Sequence, residues 1–158
     1  MKKFFIYWLP VLLWMSLIFY SSAQPYEKQD LRPFLSSTFD LSWVSTFFSF
    51  VSFEYAGEEI SIAALGVSGF IEFFIRKSAH FFVYFILAIL FYRALDNTCK
   101  KKNKLFITSL YATIIYAATD EFHQSLTINR TPLVQDVLID LTGGLCGLLF
   151  LTFFQNKK

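Results

Sequence analysis

Ionisable and strongly polar residues of this chain gather in four places within otherwise apolar sequence: Arg76, Lys77 and His80; Asp120, Glu121, His123 and Gln124; Arg130; and Asp136 with Asp140. Arg76, His80 and Tyr84 follow one another at i, i+4 and i+8, and Lys77 joins the same face through His80 and Tyr84, so a helix here carries one polar stripe. Asp136 and Asp140 share a face with Gly143 and Gly144 at i, i+4, i+7 and i+8, and glycines on that face admit a close neighbour. Such a set could do two kinds of chemistry. Arg76, Lys77 and Arg130 suit recognition of phosphate or carboxylate. His80 or His123, oriented by one of the nearby carboxylates, suits proton transfer near neutral pH.

The elements that must position these groups are membrane spans. The chain is 55% hydrophobic and 20% aromatic, with 16% charged residues and a mean hydropathy of +0.48, too little polar surface for a soluble domain. Apolar stretches over about 4–21, 71–93, 105–123 and 133–154 each approach the roughly 20 residues that a spanning helix requires. The expectation is an all-α integral membrane protein: one domain over residues 1–158, four transmembrane helices, and an interfacial segment at 22–70. The flanks carry Lys2 and Lys3, then Arg93, Lys100, Lys101, Lys102 and Lys104, then Lys157 and Lys158, all on one side of that arrangement. By the positive-inside rule both termini are cytoplasmic. The acidic 22–70 connection and all four polar groups then face outward.

Lys2 and Lys3, an apolar run and Ser21-Ser22-Ala23 also fit a secretory signal, whose removal would leave three spans. Within the connection, Leu41 to Phe53 suits a helix lying in the interface, and Phe53-Glu54-Tyr55 with Ile60-Ser61-Ile62 suits a small hairpin around 56–59. Cys99 and Cys146 fall at different depths, so no disulfide is expected. There is no internal repeat, and no basic patch interleaved with aromatics that would indicate nucleic acid. Membrane lipids are the expected partners.

For single residues a structural role competes with a functional one. Arg76 and Lys77 can snorkel to the interface, Asp120 and Glu121 can mark a solvated helix end, and Tyr84 and Gln124 can serve packing and capping. Asp140 lies about 10 Å beyond the entry of its helix, where a carboxylate requires a partner, and a buried ion pair locking two helices would supply one. A metal is a further reading, since His80, His123 and four carboxylates on three helices are mixed nitrogen and oxygen ligands, although no H-x-x-x-H or E-x-x-H pair is present. Cofactor and oligomeric state stay open at this level.

Taken together, R-K-S-A-H-F-x-x-Y at 76–84, D-E-F-H-Q at 120–124, Arg130 and D-V-L-I-D-L-T-G-G at 136–144 resemble the VanZ-like family in order and spacing. A departure is Asn129, where members often have Gly before the arginine. The resemblance implies a bacterial membrane protein whose family namesake is associated with resistance to the glycopeptide teicoplanin. On this reading Arg76, Lys77, Tyr84, Gln124, Arg130, Asp136 and Asp140 bind an anionic envelope component, a lipid headgroup or lipid-linked wall precursor. The alternative is a membrane enzyme acting on such a lipid, with His80, Asp120, Glu121 and His123 as its acid–base groups. No G-x-S-x-G, H-E-x-x-H or P-loop accompanies them. A proton-linked transporter would use the same acids but would require an oligomer.

Overall fold

The computed structural model describes residues 2–96, 101–127 and 132–155. Four long helices dominate: α1 (Lys2–Ser22), then, after two short helices α2 (Arg32–Thr38) and α3 (Ser42–Phe48), α4 (Ile62–Asp96), α5 (Lys102–Gln124) and α6 (Val134–Gln155). Three of them, α1, α4 and α6, are long and apolar enough to cross a membrane, with mean hydropathies of 1.7, 1.7 and 2.0. The fourth expected span, α5, is as long but more polar, because it starts on Lys102 and Lys104 and ends on Asp120 and Glu121. Inside the bundle its Ser109 and Thr113 return their hydroxyls to the carbonyls of Leu105 and Ser109, at 2.8 and 2.9 Å, which meets the cost of burying them.

The bundle closes through small residues. A Cβ at Gly143 would run into the carbonyl oxygen of Phe81, and one at Gly147 into that of Phe85, so α6 lies backbone to backbone against α4. Gly144 faces the Thr113 methyl, bringing α5 to the same ridge. Helix α1 is part of this core: Val11 is fully buried, the Trp14 indole donates to the Val83 carbonyl at 2.9 Å, and the Tyr116 hydroxyl donates to the Met15 carbonyl at 2.6 Å.

Between α1 and α4 the chain differs from the single interfacial helix expected at 41–53. It forms a 3₁₀ turn (Tyr26–Gln29), α2, α3 and a hairpin of β1 (Ser52–Tyr55) and β2 (Glu58–Ser61). Ala56 and Gly57 both have positive φ, 55° and 84°, so a two-residue turn suffices and the second strand begins at Glu58, two residues earlier than expected. Val44, Ile60 and Phe70 bury together and fasten α3 and the hairpin to α4. Helix α4 itself begins at Ile62 rather than near 71, because Gly66 at φ 69° takes up a kink in its first turns.

Candidate functional site

The C-terminal end of α1, the first half of α4, the C-terminal end of α5 and the start of α6 meet at one end of the bundle, opposite the start of α1 and the end of α6. The α4 stripe and the α6 acids face each other as two rungs: Lys77 Nζ lies 2.5 Å from Asp136 Oδ1, and His80 Nδ1 lies 3.1 Å from Asp140 Oδ1. Because α4 and α6 run in the same direction, a step of three or four residues on each reaches the next rung. Asp140 is only 1% exposed, and the Gly143 contact one turn later is what brings its helix this close.

Arg76 goes elsewhere. Its guanidinium pairs with Glu72 one turn earlier at 2.8 Å, donates to the Gln29 carbonyl at 2.7 Å and lies over the Tyr26 ring at 4.3 Å. Glu72, 2% exposed, also faces Arg32 at 3.4 Å and accepts from the Leu31 amide. Thus Glu72 straps the 26–32 segment onto α4. Within that segment Arg32 holds the Asp30 carboxyl at about 2, well below its ordinary value, through a side-chain hydrogen bond, while burial raises the Tyr26 phenol.

Asp120 accepts from three neutral donors: the Ser22 hydroxyl at 2.7 Å, the Gln124 amide at 3.1 Å and the Tyr84 hydroxyl at 3.3 Å. Glu121 points away from it, accepting from the Leu133 amide at 2.5 Å, and its Oε2 is buried with no partner among the described residues. His123 makes no direct contact with Asp120 but adjoins it through Ser22: its ring stacks on Phe19 at 4.0 Å, with Nδ1 3.5 Å from the Ser22 hydroxyl. Arg130 lies outside the described residues.

A cavity of about 530 Å³ opens between these groups. Arg76, Lys77, His80, Tyr84, Asp120, Gln124 and Asp136 line it, so most of the expected site residues share one space. Leu17, Ile18, Ala79 and Val83 form an apolar wall on α1 and α4, and Tyr26, Gln29 and Glu58 roof it. Leu17 is 51% exposed while lining the cavity, so that wall is continuous with the outer face of the bundle. Tyr55 of the hairpin holds Asp136 from outside the cavity, its hydroxyl donating at 2.5 Å; burial, then Asp136, raises that phenol.

Sequence reasoning missed Glu72, Ser22, Tyr26, Gln29, Tyr55 and Glu58. Two signals could have found four of them: the i, i+4 relation of Glu72 to Arg76 on the same stripe, and the run S-S-A-Q-P-Y-E-K-Q-D-L-R at 21–32, which holds Ser22, Tyr26 and Gln29 and resembles the segment after the first helix in some VanZ-like members. Among the described residues no group of three or more His, Cys, Asp or Glu is gathered to hold a metal ion.

Comparison with curated proteins and with solved structures returns no match. Residues 5–155, nearly the whole chain, match the family model described as VanZ/LLP1, and the protein belongs to that family.

Proposed function

We propose that the cavity recognises the headgroup of an anionic cell-envelope component, a membrane lipid or lipid-linked wall precursor, from the outer side of a bacterial cell membrane. On this proposal α5 spans with α1, α4 and α6. The basic flanks keep both termini in the cytoplasm, so the cavity end faces outward. One observation carries the reading: a single cavity joins Arg76 and Lys77 to the apolar, partly exposed wall of Leu17, Ala79 and Val83. That is the lining an amphiphile needs, a polar head held by convergent donors and a chain lying along apolar side chains. The guanidinium of Arg76 makes its protein contacts through Nε and Nη2, leaving the Nη1 donors for a ligand among the described residues. Any link to teicoplanin resistance would follow from binding a wall precursor or a lipid near it.

The test is native mass spectrometry of detergent-purified protein titrated with phosphatidylglycerol, comparing wild type with Arg76→Gln and Lys77→Gln. Bound lipid retained by wild type and reduced about tenfold by either substitution supports the reading; equal retention by all three counts against it.

A second reading, a membrane enzyme, is favoured by the His80–Asp140 pair. A buried carboxylate on Nδ1 fixes the imidazole and leaves Nε2 to exchange a proton with a bound headgroup. Under that reading His80→Gln abolishes turnover while leaving lipid binding in place. A binder loses affinity instead on substitution of Arg76.

A further inference from the structure

Charge around the cavity is not evenly matched. Glu72 is shared by Arg76 and Arg32, whose other partner is Asp30, and Asp136 is matched by Lys77. Asp140 has His80. Two acids, Asp120 and Glu121, are buried with no ion pair among the described residues, and of these Asp120 lines the cavity, 4% exposed and meeting three neutral donors. Neutral donors hold a carboxylate in place but bring no compensating charge to it. A purely anionic ligand would add to that imbalance.

We propose that Asp120 receives an ammonium group of the ligand, which is therefore a zwitterionic, amine-bearing polar lipid rather than a simply anionic one. This rests on the headgroup-binding reading above and deepens it. Ser22, Tyr84 and Gln124 are the positioning residues, fixing the carboxylate so that its remaining lone pairs meet the incoming N–H donors. Arg76 and Lys77 take the phosphate. Lys77 and Tyr84, the α4 residue that touches Asp120, are seven residues apart, about 10 Å along the helix axis. An axial spacing of that order suits an amine several bonds from the phosphate, as in an aminoacyl ester of a glycerophosphate headgroup. Glu58 on the hairpin, also at the cavity, adds a second acidic group at the roof.

The full-length protein is titrated with three chain-matched lipids, alanyl-phosphatidylglycerol, its N-acetyl derivative and phosphatidylglycerol, plus the deacylated alanyl headgroup, and bound ligand is read by native mass spectrometry. Wild type should favour alanyl-phosphatidylglycerol over the N-acetyl form by about tenfold or more. Asp120→Asn should erase that preference, whereas Arg76→Gln should weaken all three lipids. Equal binding of the amine and its N-acetyl form to wild type, a comparison that needs no variant to fold, overturns the inference while leaving headgroup recognition standing. Loss of the Arg76 dependence overturns headgroup recognition itself. Equal binding of the deacylated headgroup overturns the assignment to a lipid.

Discussion

Replacing Lys77 by Met should destabilise the protein by about 3 kcal/mol, the lower end of what removing one partner of a buried ion pair costs, because both side chains keep some exposure, 19% and 11%. Asp136 would be left with the Tyr55 hydroxyl as its donor. Asp136→Leu should cost less, about 2 kcal/mol, since Lys77 retains the Tyr55 and Phe73 rings at 4.5 and 5.5 Å and its long stem can carry the ammonium toward water. The double variant removes both charges and replaces them with apolar volume, so it should lose only about 1–2 kcal/mol. The two single losses then exceed the double loss by about 3–4 kcal/mol. Reversible unfolding in mixed micelles, titrated with dodecyl sulfate and followed by tryptophan fluorescence, measures all four proteins. Additivity within about 0.5 kcal/mol would refute the coupling and with it the view that this rung locks α4 to α6.

Three further outcomes follow from the packing. Gly143→Ala should lose about 2 kcal/mol because its methyl meets a backbone carbonyl, and Gly144→Ala under about 1 because it meets the Thr113 methyl; equal shifts in the same unfolding assay would contradict this. Glu72→Gln removes the negative charge and one of the two acceptor oxygens that Arg76, Arg32 and the Leu31 amide share, so hydrogen exchange across 26–32 should quicken by about tenfold while the α6 core stays protected. Tyr55 has a phenol raised above its ordinary 10.0, so its contribution is fully present below pH 10 and is lost only as pH rises beyond that. The phenolate absorbance difference between wild type and Tyr55→Phe should therefore be flat through pH 10, and a step at or below it would exclude the Asp136 contact.

The helices were legible because apolar runs near 20 residues have few alternatives, and the α4 stripe was legible because 3.6-residue periodicity maps sequence spacing onto a face. Pairing was less so. That Lys77 meets Asp136 and His80 meets Asp140 depends on how deep α6 sits beside α4, which Gly143 and Gly147 set through contacts invisible in a spacing rule. The hairpin was anticipated with its second strand misplaced, since nothing in a non-glycine residue such as Ala56 announces a positive φ. Tyr26 and Tyr55 escaped because they belong to the intervening segment, and only its fold over the bundle end brings them to Arg76 and Asp136.

The basic dipeptide Arg76-Lys77 illustrates why adjacent residues in one motif need not act as one patch. Successive residues on a helix are turned about 100° apart, so Arg76 addresses the strap and Lys77 addresses α6. The cavity between them is bounded by both, and a phosphate bridging the two would draw on two separately supported cations: one anchored by Glu72, the other by Asp136. Neither cation is free to collapse onto the other's acid. That preorganisation is the physical reason to expect both cations in headgroup binding, and it makes Glu72 and Asp136, which need not touch the ligand, as necessary to affinity as the cations they hold.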